Sequence, residues 1–525
     1  MKNETAFTRR YFMCDYARQR TFVREEFSLL LDGLARLGYN GVGMYLEGAF
    51  DFSFIPGVIR EGVMTREDAA WAVAEGKKRG IFVFPMTNVV GHMEHFFRQE
   101  RFRDLAEVEP NYMQMKFADE RAEAFAMDIV HEYVEAFGTP LMHIGGDEVT
   151  LKPEEKVPYA EFLAKICKNL LDEGITPAVW NDMIWMEPEL CEYFDRRVVI
   201  FDWNYYGHRP ESPRFFKGEG FENVVVCPCD NSWDNFINHQ ALSGYMKARR
   251  DIPILPDEVE AFFEDAQAEG VFDGMLTNWE NDTGANLWAQ WTAFARGGLY
   301  MNGKLAAREE NDELIEQTLF GRVTPYTAVT RVLQNDLAYQ TWFGMARGML
   351  FTPANIKKLY LYLLEITDRK PADFAGVADK ADAMLDTWAP EGAFETNCYL
   401  AMRAAVAMVR ASGAFVAAID MHPLYFQAAK LQFEKPEEAR AILESMVEAF
   451  CRAAEEMRSY STAHATAIEP TGQTRLDLMR LEACSMTVDL IAELIEEELN
   501  ELDRIPLARF ERLVDYAVEG KFILT

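Results

Sequence analysis

The chain is 525 residues long, is 49% hydrophobic and 26% charged, and carries a formal net charge of −32. That length exceeds what one hydrophobic core usually supports, so two or three domains are expected. The negative charge argues against nucleic acid and anionic membranes as partners and suits a neutral or cationic ligand, although solvated acidic surface accounts for most of it.

Further composition features concern location and chemistry. Aromatic residues make up 13% of the chain, and aromatic rings both fill cores and line sugar sites. No run of about 18 apolar residues occurs, which predicts no membrane span. The N-terminal stretch lacks the apolar run of a secretory signal. The eight cysteines show no metal or disulfide spacing, which favours reduced thiols in a cytoplasmic protein; a chain that had lost its signal would look the same.

Short apolar runs recur through the first 300 residues or so. Each is too short for a helix, and continuous hydrophobicity is typical of strands buried on both faces of a parallel sheet. The predicted strands are Tyr11–Tyr16, Val42–Leu46, Ile81–Met86, Pro140–Ile144, Pro177–Trp180, Val198–Trp203, Asn223–Pro228 and Gly274–Trp279.

Amphipathic segments separate these runs and predict helices. Phe22–Leu37 places its leucines on one stripe and ends at Gly38, a residue suited to a helix C-terminus. Thr65–Lys78 begins with Thr65 and Asp68 spaced as a capping box. Two further helices are predicted at Glu120–Phe137 and Tyr159–Asp172. Helices after the fifth and sixth strands are harder to place because those segments are short.

Eight strand–helix units predict an α/β fold, a (β/α)8 TIM barrel, over residues 1–308. A doubly wound open sheet is the structural alternative. After about Arg308 the strand runs cease and long Ala/Glu/Leu-rich segments follow, which predicts an all-α helical domain over residues 309–525. Its predicted helices are Ala354–Ile366, Gly376–Thr387, Glu395–Met421, Pro436–Tyr460, Arg475–Asn500 and Leu507–Val518, with a break at Ala467–Gly472.

The most informative segment for chemistry follows the fourth predicted strand. It runs from His143 to Val149, with the letters HIGGDEV, and the reactive groups of a TIM barrel stand at such strand ends. Two glycines permit a sharp turn and a close ligand approach. Asp147 and Glu148 then place two carboxylates side by side, which raises the pKa of one partner in a dry cleft. Such a pair suits glycosidic cleavage; the alternative is a helix N-terminus.

These residues resemble the signature of glycoside hydrolase family 20, the β-N-acetylhexosaminidases. The resemblance covers roughly residues 8–300 and extends to the first strand, where Arg10–Arg18 reads RYFMCDYAR. It includes Gly91-His92 after the third strand and Val179–Asp182 (VWND) after the fifth. Trp203 ends the sixth strand, and Trp279 with Glu280 ends the eighth. The helical tail is similar to that of smaller bacterial members.

The resemblance implies a substrate-assisted retaining mechanism, in which the 2-acetamido oxygen of the sugar attacks the anomeric carbon and forms an oxazolinium-type intermediate. Neither carboxylate then needs to act as the nucleophile, so the two can be neighbours in the sequence. The resemblance assigns Asp147 to the acetamido N–H and Glu148 to the departing oxygen and later to water.

Supporting residues follow from the same resemblance. Arg10 is expected to hold sugar hydroxyls, or else to form a salt bridge at the barrel mouth. His92 and His143 are expected to orient Glu148 or tune its pKa, or else to be structural. The tryptophans Trp180, Trp203 and Trp279 are expected to wall the pocket, with core packing as the alternative. Asp230 and Glu280 are candidates for binding hydroxyls, with a surface role as the alternative.

Three positions depart from the family pattern. The seventh strand has Pro228 where a tyrosine is usual, so either Tyr205 or Tyr206 takes its place, or the specificity is divergent. The eighth strand leaves the choice between Glu280 and Asp282 open. The second strand lacks the usual double acid, and Glu47 is its substitute.

Three functions are compatible with these residues. The first is an exo-acting hydrolase that releases terminal GlcNAc or GalNAc from a glycan or glycoconjugate. The second is a related enzyme for an unusual or substituted amino sugar, and the third is a non-catalytic carbohydrate-binding protein on the same scaffold. No His, Cys and carboxylate spacing indicates a metal, and no cofactor is expected. The helical domain could close the cleft, form a homodimer or stabilise the barrel.

Overall fold

The computed structural model describes most of the chain. The described residues are 6–18, 20–55, 62–107, 113–205, 208–230, 258–279, 286–307, 309–333, 374–471 and 476–507.

Eight parallel strands close into a barrel in chain order, with β1 paired to both β2 and β8. This confirms the TIM barrel and excludes the open doubly wound sheet. The strands are β1 Arg9–Asp15, β2 Gly41–Tyr45, β3 Phe82–Met86, β4 Leu141–His143, β5 Thr176–Trp180, β6 Val199–Trp203, β7 Asn223–Cys227 and β8 Asp273–Asn278. Their carboxyl ends meet at one mouth, where TIM barrels carry their sites.

Helices surround the barrel between the strands. They are α1 Arg24–Leu37, α2 Arg66–Lys78, α3 Glu94–Phe97, α4 Ala122–Phe137, α5 Lys156–Asp172, α6 Asp182–Met186, α7 Glu211–Gly218, α8 Glu258–Ala268 and α9 Trp291–Met301. The predicted ends of α1 and α2 are confirmed. Gly38 terminates α1 with a φ of +89°, and Thr65 and Asp68 form the capping box that begins α2.

The barrel interior is a packed core. Side chains from seven of the eight strands, among them Tyr11, Phe84, Trp180 and Phe201, form one buried cluster inside the barrel, and the partly buried Leu141 of β4 packs against it. A second cluster lies between the strands and the surrounding helices. Burial on both faces explains why the strands read as continuous apolar runs.

After the barrel the described chain is helical. The helices are α10 Asp312–Phe320, α11 Tyr326–Arg331, α12 Phe374–Leu385, α13 Gly392–Ile419, α14 His422–Leu431, α15 Pro436–Ile468 and α16 Leu476–Asn500. The all-α prediction for this region is confirmed, although α10, α11 and α14 were not predicted. The predicted helix Ala354–Ile366 and nearly all of Leu507–Val518 lie outside the described residues, and the boundary at residue 308 stays a prediction.

The helical region packs directly on the barrel. Phe394 of α13 lies 4.8 Å from the Trp291 ring of α9, measured between ring centroids. A Cβ atom at Gly33 of α1 would fall 2.3 Å from Trp291 and 2.6 Å from Phe394. Glycine is therefore needed where α1 meets this aromatic cluster.

One described segment, Gly392–Leu431, is long and apolar enough by composition to cross a membrane, with a mean hydropathy of 1.5 in its 18-residue window. In the fold 61% of that window is buried. Core helices pass the same test because their apolar faces are covered by protein.

Candidate active site

The segment after β4 reaches the barrel mouth through two glycines with positive φ. Gly145 has a φ of +77° and Gly146 of +100°. A Cβ atom at Gly145 would lie 2.2 Å from Asn88 Oδ1, and one at Gly146 would lie 2.7 Å from the Leu163 side chain. The predicted sharp turn and close approach are therefore both present, and the approaching groups belong to the protein itself.

Asp147 and Glu148 point into different surroundings. The Asp147 side chain is 10% exposed and accepts a hydrogen bond of 2.5 Å from Asn88 Nδ2. The Glu148 side chain is 59% exposed. Neither residue lies in a helix, and the next helical turn begins only at Pro153. The helix N-terminus alternative is therefore wrong, and the dipeptide presents one inward and one outward carboxyl group.

His92 joins the two carboxyl groups. Its Nε2 atom lies 3.1 Å from Glu148 Oε2 and 3.6 Å from Asp147 Oδ2. Burial alone would lower the pKa of His92, but the hydrogen bond to Glu148 and the charges of Asp147, Glu47 and Glu148 outweigh it and raise the pKa to about 10. His92 is therefore a cation at neutral pH.

The two neighbouring carboxyl groups have opposite pKa shifts. Burial raises the pKa of Asp147, with a further contribution from the charge of Glu148. The hydrogen bond from His92 lowers the pKa of Glu148. One partner is raised, as expected for adjacent acids, but it is the buried aspartate and not the exposed glutamate.

Backbone strain is concentrated around this centre. Among the described residues, the non-glycine residues with positive φ are Glu47, His92 and Glu148, at +43°, +50° and +51°. All three follow carboxyl ends of barrel strands. Left-handed backbone is unfavourable for such residues and clusters at functional sites, where the surrounding structure enforces it.

Asp182 is a site residue that the sequence analysis did not select. It begins α6 directly after β5, and its Oδ2 atom accepts the Glu148 N–H at 2.9 Å. Its Oδ1 atom accepts the Trp203 indole N–H at 3.3 Å. Burial, together with the charge of Asp147, raises the pKa of Asp182 to about 7. Asp182 stood in the family-like VWND segment, but its partners become visible only in three dimensions.

Aromatic residues form one wall of the mouth. The rings of Trp203 and Tyr205 lie 4.9 Å apart, and the Trp279 indole N–H donates to the Tyr205 hydroxyl at 2.8 Å. These three residues are partly exposed, as a pocket wall requires. Trp180 is different: it is 1% exposed and lies beneath Trp279, at 6.1 Å between rings. The packing alternative therefore holds for Trp180.

The prediction for Arg10 is wrong. Arg10 lies near the start of β1, where its side chain donates to the carbonyls of Gly38 and Phe7 at 2.7 and 2.6 Å. That position is at the opposite end of the barrel from the carboxyl ends of the strands. Arg18, the last residue of the same sequence motif, reaches the mouth instead. Its guanidinium lies 5.0 Å from the Trp279 ring and pairs with Asp15 at 2.6 Å.

His143 does not contact Glu148, contrary to expectation. It is fully buried, and its Nδ1 atom accepts the Gly145 N–H at 3.1 Å. Its ring lies 4.4 Å from the Trp180 ring, and burial lowers its pKa to about 3. His143 therefore supports the glycine turn from below as a neutral ring.

Of the remaining predicted residues, one lies within the described part of the chain and three do not. Asp230 is fully buried at the end of β7, where it accepts a hydrogen bond of 2.7 Å from Asn278 of β8; this is a partner inside the protein, not the surface position of the alternative. Tyr206, Glu280 and Asp282 lie outside the described residues.

Two groups of described residues bring possible metal-ligating atoms within 4.8 Å of one another. One is His92 with Asp147 and Glu148; the other is Glu47 with Glu94 and His95. In the first group the Nε2 atom of His92 is paired with both carboxyl groups. Glu47 accepts the Tyr45 hydroxyl at 2.7 Å, and burial raises its pKa to about 7. Glu47 thus occupies the position after β2 that the sequence suggested.

Residues 43–173 match the model of the glycosyl hydrolase family 20 catalytic domain. The match runs from β2 to the end of α5 and includes His92, Asp147 and Glu148. No curated protein matches the chain.

Solved structures with similarity to the chain include three from bacteria. A β-N-acetylhexosaminidase from Bacteroides fragilis is 18% identical, with coverage of 60% of this chain and 69% of that chain and a TM-score of 0.48. An exo-β-N-acetylglucosaminidase from Vibrio harveyi is 17% identical, with 60% and 57% covered and a TM-score of 0.43. A β-N-acetylhexosaminidase from Streptomyces coelicolor is 15% identical, with 60% and 67% covered and a TM-score of 0.43. The matched region thus spans between 57% and 69% of those three proteins.

Proposed function

We infer that this chain, a member of glycosyl hydrolase family 20, is an exo-acting β-N-acetylhexosaminidase that releases terminal GlcNAc or GalNAc from glycans. The reaction is retaining and substrate-assisted, through an oxazolinium intermediate. The observation that carries this proposal is the different exposure of two adjacent carboxyl groups. Asp147 is buried at 10% exposure and its neighbour Glu148 is open at 59%, and both lie at the barrel mouth.

Asp147 orients the acetamido group of the sugar. Its carboxylate is held by Asn88 at 2.5 Å and lies in a largely dry position, where an ionised group interacts strongly with a developing positive charge. The acetamido N–H donates to Asp147, which directs the acetamido oxygen towards the anomeric carbon. The N-acyl group then supplies the nucleophile, so no second carboxylate has to reach that carbon.

Glu148 protonates the departing oxygen and later activates water. The pKa of Glu148 is lowered because it accepts a hydrogen bond from His92, whose Nε2 atom lies 3.1 Å away. A bound sugar covers the exposed Glu148 carboxyl group, and this desolvation favours the neutral acid. The proton of the His92–Glu148 pair is thereby available to the leaving group.

The rim provides the contacts for the sugar ring. Trp203, Tyr205 and Trp279 offer aromatic faces, which suit the apolar face of a pyranose. Arg18 binds the sugar hydroxyls in place of Arg10, because its guanidinium group lies at the mouth beside Trp279. Tyr205 replaces the usual tyrosine of the seventh strand, because its hydroxyl is held at the same wall by Trp279.

The test is hydrolysis of an aryl β-N-acetylglucosaminide by wild-type protein and the Glu148→Ala variant. We expect the variant to lose roughly 10²- to 10⁴-fold in kcat, and a thiazoline analogue of the intermediate to inhibit the wild type. Glu154→Ala, which removes an exposed acid from the same loop, is the matched control and should retain activity. Wild-type rates in the Glu148 variant would refute the assignment, and sugar binding without turnover would indicate a carbohydrate-binding protein.

A second candidate substrate is an amino sugar with a different N-acyl group. The observation that favours it is the end of β7, where Pro228 replaces the usual tyrosine and its carbonyl accepts the Thr277 N–H at 2.9 Å. A comparison of kcat/KM for N-acetyl, N-propionyl and N-glycolyl aryl glycosides decides between the two. A preference for a larger acyl group would identify the divergent specificity.

A further inference from the structure

The buried carboxyl group of Asp182 lies directly behind the proposed acid. Its two oxygens accept the Glu148 backbone N–H at 2.9 Å and the Trp203 indole N–H at 3.3 Å. Both oxygens of the Asp182 carboxyl group are engaged by donors of the protein itself. Asp182 therefore connects the loop after β4 with the wall residue at the end of β6.

The position of Asp182 is fixed by its neighbour Asn181. The Asn181 side chain donates to Asp202 at 2.6 Å and accepts the Trp203 N–H at 2.9 Å. Both contacts join the end of β5 to β6. Asp182 is thus anchored to the rigid barrel and not to a mobile loop.

Glu148 needs such an anchor because its backbone is strained. Its φ of +51° lies in the left-handed region, which a glutamate rarely adopts unless its surroundings enforce it. The hydrogen bond from the Glu148 N–H to a buried carboxylate supplies that constraint. Relaxation of this φ would rotate the side chain away from the mouth.

We propose that Asp182 is a positioning residue that holds Glu148 in its working conformation and, as a second buried acid near Asp147, retains a proton when Asp147 carries the negative charge. This inference rests on the proposed function. Asp182 touches neither the sugar nor the reacting atoms and acts only through its two neighbours.

The charges around Asp182 support the second role. Asp147 and Glu148 from the loop after β4 and the Tyr159 hydroxyl from α5 surround it, and the His92 cation lies beyond Asp147. Burial and the Asp147 charge raise the pKa of Asp182 to about 7, and burial raises that of Asp147 as well. The charge of Asp147 thus opposes the ionisation of Asp182, so Asp182 is the acid of the two that loses its proton at the higher pH. Positive charge that develops on the sugar beside Asp147 favours the ionised form of Asp147. The proton then stays on Asp182.

The experiment is the pH profile of kcat/KM for Asp182→Asn, which keeps the size of the side chain and removes its charge. We expect kcat to fall roughly ten- to hundredfold because Glu148 is held less well. We also expect the profile of the variant to lose the inflection near pH 7 that the ionisation of Asp182 gives the wild type. A purely structural role would lower the rate by the same factor at every pH.

Glu26→Gln is the matched control. Glu26 is a buried acid of α1 that accepts the Trp288 indole N–H at 3.1 Å, and burial raises its pKa. Its partner Trp288 lies at the contact with the helical region, so the Glu26 variant should keep the inflection near pH 7. Loss of the inflection in both variants, or its retention in D182N, would overturn the inference.

A measurement without substrate separates this inference from the proposed function. The folded pKa of Asp182 lies above its ordinary value of 3.8, so its stabilising contribution is lost as the pH rises through about 7. D182N should remove that part of the pH dependence of the unfolding free energy. If wild-type protein hydrolyses no N-acetylhexosaminide but D182N still has this effect, the proposed function fails and the charge coupling stands. If wild-type protein is active and D182N changes neither profile, this inference fails alone.

Discussion

At the scale of single residues, Gly145 determines how Asn88 and Asp147 meet. Its φ is +77°, and a Cβ atom there would lie 2.2 Å from Asn88 Oδ1. Asn88 holds Asp147 at 2.5 Å, so Gly145→Ala displaces the proposed acetamido ligand. We expect the variant to lose about tenfold or more in kcat and about 1–2 kcal/mol in unfolding free energy.

Gly174→Ala is the control for this prediction. Gly174 has nearly the same φ, +80°, but a Cβ atom there would have nothing within 4 Å. Its variant should lose about 1–2 kcal/mol of unfolding free energy, measured in denaturant, from the backbone conformation alone, with kcat unchanged. Equal kcat losses in the two variants would contradict the role of the close approach.

His92 determines the alkaline behaviour of the site. Its pKa is raised to about 10, so the His92–Glu148 pair keeps its proton well above neutral pH. In His92→Gln the proton must reside on Glu148 itself and is lost at lower pH. We expect the alkaline limb of kcat/KM to move to lower pH by at least about one unit. If the alkaline limb of H92Q does not move, His92 does not hold the proton of the pair.

The same pKa shift affects stability. The folded pKa of His92 lies above its ordinary value of 6.5, so its stabilising contribution is complete below that pH and is lost as the pH rises towards about 10. The unfolding free energy of the wild type should therefore fall more steeply than that of H92Q between these values. Denaturant titrations at several pH values measure the difference.

The site residues show which contacts sequence can predict. Asp147, Glu148 and His92 stand in short segments after predicted strands, so their meeting follows from barrel topology. Arg10 and Arg18 share one motif, and only the register of β1 shows that the first lies at the far end. Asp182 has partners 34 and 21 residues away in sequence, and no local pattern indicates such pairs.

At the scale of elements, the capping box of α2 is a feature predicted from sequence and found in the fold. The Thr65 hydroxyl accepts the Asp68 N–H at 3.1 Å, and Asp68 accepts the Thr65 N–H at 3.1 Å. Thr65→Ala should lower the unfolding free energy by about 1 kcal/mol, and Thr65→Ser should retain most of it. Thermal unfolding measures the stability of both variants. A T65A variant as stable as the wild type would show that the cap is not needed.

Strands and helices differ in how well their patterns predicted them. All eight strands were predicted because burial on both faces leaves continuous apolar runs between polar loops. Helices α6 and α7 have only five and eight residues, too few for a periodic stripe to emerge. Helix α14 begins at His422, just after α13 ends at Ile419, and Pro423 in its first turn is the signal that could have located it.

At the scale of the whole molecule, the barrel and the helical region share an aromatic junction. Phe394 is 6% exposed and contacts Trp291 and Trp288 at ring distances of 4.8 and 5.3 Å, and the Trp288 indole donates to the buried Glu26 of α1 at 3.1 Å. This junction supports a stabilising role for the helical region. A role of the helical region in dimerisation or in cleft closure stays a prediction. The cytoplasmic location of the protein also stays a prediction.

Phe394→Ala tests this role. Removal of a buried phenylalanine leaves a cavity, so we expect a loss of about 3–5 kcal/mol in unfolding free energy. Phe433 of the same region is 66% exposed, so Phe433→Ala should change it by less than about 0.5 kcal/mol. If the junction couples the two regions, calorimetry should show one transition in the wild type and two in F394A, since the barrel and the helices then unfold separately. Two transitions already in the wild type would mean that the helical region does not stabilise the barrel through this contact.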